Sequence, residues 1–474
     1  MHYVNFLKDP SLYAHDFFIQ NLSSAVPNER FVFAYLLMPF SNHFEFYLLL
    51  FHAISTVLLL YGMQRLASMF IENEIWAWLC VYSSQTILYL YTIGGCDLYY
   101  NTFQGSNIAK AIGIWAIYFF LQQKYYLSMI LLALITYLQI IVGLDLALLL
   151  CAVLLFQKKY KVWMISSLIY GLAAGIYLAM VLYARSGTST LSANEYFDIM
   201  FLFRHPHHFI FSTFPLKNIL FVTVMFFVGI YFYFSRNTSL AWFLFLALMS
   251  TILYAIAVDV FHSVTIGNFN GYKNIIWVKF FGWVAVFAVL EKYKSSWLLR
   301  VKIPMTAGYA VLVIITAALF HGLIMNDYLN LRHQTIHIGK RIQDDALIDI
   351  SLKAKKSLPK DAVFILPFHA TAFKYWSERS AYVDFKANVR SPQAAGEWYE
   401  RIKSVYGVSL KDKRTGFDLK HKADVYYAEH YFCSLDRFKR KGVQYFLCAK
   451  DHKKIDQYEP PILENDGYKI YQIK

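Results

Sequence analysis

Apolar residues fill the first two thirds of the chain in blocks of bilayer-crossing length, separated by short polar turns. A helix needs roughly 20 mostly apolar residues to cross the hydrocarbon core. The pattern predicts ten spans, at 44–64, 75–94, 107–122, 126–141, 143–157, 162–184, 218–234, 239–259, 274–290 and 303–325. The fourth and fifth are short and meet at Val142-Gly143-Leu144-Asp145, which reads as a broken pair that need not traverse. The stretch Phe31–Phe40 is too short to span and carries Pro39 near its end, so it reads as a re-entrant or surface-lying helix.

Beyond residue 325 the period changes. β-rich runs at Ala362–Leu366, Ala381–Phe385, Val443–Cys448 and Tyr468–Ile473 predict strands, with helical patterns at 337–357, 392–406 and 431–441. Such alternation predicts a small, mostly parallel sheet. The absence of a glycine-rich phosphate loop argues against a nucleotide-binding version. The expected fold class is a mainly α-helical polytopic membrane protein with a C-terminal α/β soluble domain. Residues 1–43 would form an outer loop and interfacial segment, 44–325 the transmembrane domain and 326–474 an extracytoplasmic domain.

Composition agrees: of 474 residues, 58% are hydrophobic and only 16% charged, against about a quarter charged in an average soluble protein. The net charge of +14 raises nucleic acid as a partner, and its distribution dismisses it. Residues 1–325 hold 18 Lys+Arg against 12 Asp+Glu, and residues 326–474 hold 27 against 19. With residues 1–43 outside, the cytoplasmic turns carry Arg65, Lys124, Lys158, Lys159, Lys161, Arg236, Lys292, Lys294, Arg300 and Lys302 against three glutamates. Basic residues mark the cytoplasmic side, so the C-terminal domain lies outside too. The first 29 residues mix Lys8, Asp9, His15, Asp16 and Glu29 without an apolar core, unlike a secretory signal. The chain opens as though in mid-loop, and a span lost upstream of Met1 is the favoured expectation over insertion with the amino end out. Five cysteines make no disulfide framework. Cys80 and Cys151 read as packing residues, whereas Cys433 and Cys448 could pair in an oxidising compartment.

Four outer clusters carry candidate chemistry, because charge at membrane depth is costly and usually functional. In Asp9–Phe18, Asp9 reads as a helix cap, while Asp16, set among aromatics beside His15, could accept a proton from a hydroxyl. Arg204-His205-Pro206-His207-His208 lacks the further acidic or sulfur ligands of a zinc site but suits an anion such as phosphate. Gly271-Tyr272-Lys273-Asn274 with Lys279 places two cations at the mouth of the ninth span, where Lys273 could equally snorkel. Gly94-Gly95-Cys96-Asp97, running on to Lys110, supplies a further candidate acid, Asp97, although its glycines could simply end a helix.

DPSLYAHDFF at 9–18, GGCDLYYNTF at 94–103, FRHPHHFIFSTF at 203–214, LPKDAVFILPFHATAFKYWSERSAYVDFKANV at 358–389 and EWYERIKSVYG at 397–407 resemble a family of uncharacterised bacterial membrane proteins. That family is similar to the GT-C class of glycosyltransferases. The resemblance implies an enzyme of the bacterial inner membrane that takes a sugar from a polyprenyl-phosphate donor. It would pass the sugar to a glycan or protein acceptor on the outer face, in contact with membrane lipid. Such enzymes carry an essential acid in the first outer loop, directly after a first span that this chain lacks. Asp16 is the nearest candidate base, with Asp9 and Asp97 behind it. Arg204, His205, His207, His208, Lys273 and Lys279 would hold the lipid phosphate, and Lys374, Arg379, Asp384 and Lys386 would face the acceptor. No metal ligands are assigned, and a divalent metal stays open. The rivals are a carrier or flippase for a lipid-linked or anionic solute, using the same cations without a base, and a non-catalytic membrane assembly protein.

Overall fold

The computed structural model describes residues 1–100, 103–184, 191–297, 345–387, 391–412, 415–430, 435–450 and 460–473. The tenth expected span and Cys433 lie outside the described residues. The chain divides into two compact units. One collects Met1–Asn42, Met180–Pro206 and Gly339–Lys474; the other holds His43–Ala179 and His207–Ile338.

The second unit is a bundle of apolar helices. Among the described residues five helices are long and apolar enough to cross a membrane: Phe31–Ala67, Tyr160–Ala184, Leu216–Phe234, Thr238–Val260 and Val264–Tyr293. They mark an integral membrane protein. Three apolar helices are shorter, at Gly105–Leu121, Tyr125–Leu138 and Ile140–Phe156. The bundle leaves large side chains such as Leu172, Ile176, Tyr231 and Leu253 exposed. Exposure of that kind suits a lipid solvent and would be an aggregation hazard in water. Its interior is close-packed where small residues let helices approach. A Cβ at Gly282 would overlap the Met225 carbonyl, and the Tyr233 hydroxyl donates to the Phe281 carbonyl at 3.1 Å.

Three expectations change. The second expected span, 75–94, is helical only over Glu74–Gln85. Twelve residues make a helix of about 18 Å, well short of the roughly 30 Å hydrocarbon core. Its start is held by Asn73, which accepts from Ile75 N–H at 3.0 Å, and by Glu291, which accepts from the amides of Glu72 and Asn73. The break between the fourth and fifth segments falls at Gln139, whose extended φ of −154° separates the helices Tyr125–Leu138 and Ile140–Phe156. Gly143 lies inside the second helix, where it lets Thr136 approach. Phe31–Phe40 is no isolated surface helix. The helix Phe31–Leu37 runs on through a tight 3-10 turn at Met38–His43, around Pro39, into Phe44–Ala67.

The first unit holds the only sheet among the described residues: β1 (Val363–Ile365), β2 (Ser380–Ala381), β3 (Tyr445–Ala449), β4 (Leu463–Glu464) and β5 (Tyr468–Gln472), in the order β2-β1-β3-β5-β4. Strands β2, β1 and β3 are parallel, but β3–β5 and β5–β4 are antiparallel, so the sheet is mixed rather than mostly parallel. The reason is local. Asn465 folds Asn465-Asp466-Gly467 into a turn by accepting from the amides of Gly467 and Tyr468, and so short a connection can only make a hairpin. Around the sheet lie Ala346–Ser357, Pro392–Tyr406 and Leu435–Lys439, near the expected helical patterns, together with Phe373–Ser377 and Lys420–His430, which the pattern did not predict. Phe364, Leu366, Phe373, Leu447 and Ile470 centre its core.

Gly282→Ala is expected to lower the melting temperature of the detergent-solubilised protein, since the new methyl group meets backbone. Gly175→Ala, with nothing within 4 Å, is expected to raise stability by up to about 1 kcal/mol through helix propensity alone. Thermal unfolding of the two variants side by side checks this.

Candidate functional site

Among the described residues each unit contains one fully buried lysine–aspartate pair. In the helical unit, Lys279 on the helix Ile275–Trp297 reaches Asp97 at 2.6 Å, with both side chains 1% exposed. Asp97 lies in the segment that follows the short helix Glu74–Gln85. From residue 86 to residue 100 the backbone forms turns, with Leu90, Gly94 and Gly95 at positive φ. Unwinding releases amides and carbonyls that apolar surroundings cannot satisfy, and the charged pair takes several of them. Asp97 accepts from Leu90 N–H at 2.8 Å and from Leu98 N–H at 2.7 Å. Lys279 donates to the Leu88 carbonyl at 2.7 Å. Asn218 donates to the carbonyls of Leu90 and Thr92, and buried Lys110 donates to the Asp97 carbonyl while lying 4.0 Å from the centre of the Tyr100 ring.

The same segment meets the histidines of this unit. His208 Nδ1 lies 2.8 Å from the Gly94 carbonyl, and the His207 and His208 rings are 4.2 Å apart. Tyr272, next to Lys273 in the 3-10 turn Gly271–Asn274, packs against Gly94. Its hydroxyl donates to Asp259 at 3.2 Å, and Asp259 also accepts from Phe211 N–H at 2.9 Å. One polar end of the helical unit therefore gathers Asp97, Lys110, His207, His208, Lys273 and Lys279. All six come from three sequence clusters that lie far apart along the chain.

In the other unit Lys374 pairs with Asp16 at 3.1 Å, again with both side chains 1% exposed. Asp16 caps the helix Phe17–Ser24 by accepting from Ile19 N–H at 3.0 Å, and it accepts from Ala381 N–H of β2 at 3.0 Å. The Tyr13 hydroxyl donates to the Lys374 carbonyl at 3.2 Å. With both oxygens engaged, Asp16 pins the amino-terminal segment to the sheet domain. Asp9 is exposed. Two hydrogen bonds from Ser11 and an ion pair with Lys360 hold its carboxyl down to about 2.

The remaining expected residues divide in the same way. Arg204 is buried with its guanidinium 4.4 Å from the centre of the Phe385 ring and 5.9 Å from that of Trp398, and this burial pulls its pKa down to about 10 against the pull of Asp384. It packs with aromatics rather than opening to a lipid phosphate. Arg379 is spent on the carbonyls of Lys355 and Leu358 at the end of the helix Ala346–Ser357. Asp384 accepts from Lys386 N–H at 2.8 Å in a local turn, and its carbonyl receives the Trp398 indole. Of the four expected acceptor contacts, Lys386 alone is exposed.

The sequence reading missed an open cavity of about 610 Å³ in the first unit, lined by Phe17, Gln20, Asn21, Tyr382, Glu397, Arg401 and Lys441 among others. Glu397 and Arg401 stand one helical turn apart, a spacing that reads as a solvated helix pair. Only the fold shows what they face. Missed too was His369, whose Nδ1 lies 3.0 Å from Asp424 and Nε2 3.2 Å from the Tyr468 hydroxyl.

Both charge pairs should show the signature of burial. Asp16→Asn or Lys374→Met alone is expected to cost about 3–5 kcal/mol, and the double replacement less than the sum, because each single change strands a charge. The same cycle at Asp97 and Lys279 should give the same sign. Thermal unfolding of the four single and two double variants measures both couplings.

Residues 346–405, from the helix Ala346–Ser357 through most of Pro392–Tyr406, match a family described as a domain of unknown function (DUF6798). Comparison with curated proteins gives no match.

Proposed function

We propose that the chain is a GT-C-like membrane glycosyltransferase that moves a sugar from a polyprenyl-phosphate donor to an acceptor on the outer face of a bacterial cytoplasmic membrane. The observation that carries this reading is the polar end of an apolar helical unit, where an acid, two histidines and three lysines meet around an unwound segment. Apolar helices suit the polyprenyl chain, and the cations suit its phosphate. Of the three candidate acids, Asp97 alone shares a unit with His207, His208 and Lys273.

In the proposed reaction the bond between the sugar's anomeric carbon and the phosphate oxygen breaks, and the acceptor oxygen bonds to that carbon. The sugar passes through an oxocarbenium-like state. Asp97 takes the acceptor's proton as Lys279 moves off it. Lys273, His207 and His208 meet the charge that grows on the leaving phosphate. Orientation agrees with the reading. The three stretches that the charge rule puts on the outer side, residues 1–43, the loop 185–217 and residues 326–474, supply most of the first unit. Ten spans, with the tenth at 303–325, belong to the same proposal.

A carrier for a lipid-linked anion is the second reading. It gains from the interrupted segment 75–94, which joins the break at Gln139 as a second discontinuous element of the kind carriers use.

In nanodiscs with divalent metal supplied, the purified protein should release polyprenyl phosphate from a polyprenyl-phosphate sugar only when acceptor is added. Lys273→Met is expected to lower that turnover by about a hundredfold, and Asp97→Asn to abolish it. Movement of intact donor across sealed vesicles without release would favour the carrier instead.

A further inference from the structure

We propose that the open cavity of the first unit is a saccharide-binding site in which Glu397, Lys441 and the carboxamides of Gln20 and Asn21 bind sugar hydroxyls. At about 610 Å³ it falls within the range of small-molecule sites. Its charged groups point to polyols rather than to anions. The Arg401 fork that would grip a phosphate or carboxylate is already spent. Its Nε and one terminal nitrogen donate to Glu397 at 3.0 and 2.6 Å, and the other terminal nitrogen donates to the Tyr382 carbonyl at 2.7 Å. Both of the hydrogen bonds that fix Glu397 fall on one carboxylate oxygen, Oε1, which leaves Oε2 as an acceptor on a side chain about half exposed. That oxygen would repel an anion and accept from a hydroxyl.

The other groups complete an alternating set. Gln20 and Asn21 each spend an amide N–H on a backbone carbonyl, of Ala14 and Phe17 respectively, and keep an amide oxygen to accept with. Lys441, 5.9 Å from the centre of the Tyr382 ring, adds a donor. A sugar hydroxyl both donates and accepts, so adjacent hydroxyls can bridge such a set where a simple anion or cation cannot. The platform is fixed in advance. The Arg401 guanidinium lies 4.5 Å from the centre of the Phe17 ring and 4.4 Å from that of Tyr382, holding Glu397 in place before any ligand arrives.

The role of this site as the place for a glycan acceptor rests on the transferase reading; the binding itself does not. Full-length protein in detergent is titrated with cellobiose, lactose, chitobiose and maltotriose, and separately with inorganic phosphate, by calorimetry and saturation-transfer NMR. At least one saccharide is expected to bind with a Kd below about 10 mM. Glu397→Gln, at an exposed position, should weaken it at least about tenfold, and Lys441→Trp, which fills the cavity, should remove it. The proposal is overturned if no saccharide of the panel binds, if both variants bind as the parent does, or if phosphate binds more tightly than every sugar. Saccharide binding without donor cleavage in the nanodisc assay would sink the transferase and leave this site standing, and cleavage without binding would do the reverse.

Discussion

A charge removed from water must be countered on the spot, and this protein depends on that constraint twice. Asp97–Lys279 and Asp16–Lys374 are both fully buried, and each also satisfies backbone groups that the fold has freed. Without Asp97 the segment after Gln85 would leave the Leu90 amide unbonded in apolar surroundings, where such a group costs several kcal/mol. Without Asp16 and Lys374 the amino-terminal helix would lose both its cap and its tie to β2. A buried pair is weak evidence for net stability. Its value here is positional, since each pair fixes where an irregular segment sits.

Position links the first pair to chemistry. The turns from residue 86 to residue 100 bring the Gly94 carbonyl to His208 and set Gly94 against Tyr272, so His207, His208 and Lys273 converge on one polar end of the helical unit. A continuous helix over 75–94 would close the Leu88 carbonyl and the Leu90 amide within its own hydrogen-bond ladder and leave neither for Lys279 or Asp97. The break thus exchanges length across the bilayer for polar groups at one end.

The helical character, five of the expected span positions and four of the five described strands were legible from period and composition. So was the unusual standing of Asp97, Lys279 and the histidine run, because a charge among apolar residues announces itself. Partners were not legible. Asp16 read as a candidate base because it stands among aromatics, yet its surroundings are Lys374 and β2, more than 350 residues away along the chain. Arg204 read as an anion ligand and is packed against Phe385 and Trp398. Glu397 and Arg401, which the sequence analysis did not single out, line the open cavity of the first unit.

The sequence by itself determined which residues lie in an apolar environment, since hydrophobic length is a local property that each segment carries alone. Only the tertiary structure decided where the helices break, which charges neutralise one another and which remain open to a ligand. Those outcomes depend on desolvation and on pairing across hundreds of residues. A lone aspartate looks the same in sequence whether it meets a lysine, a backbone amide or a substrate.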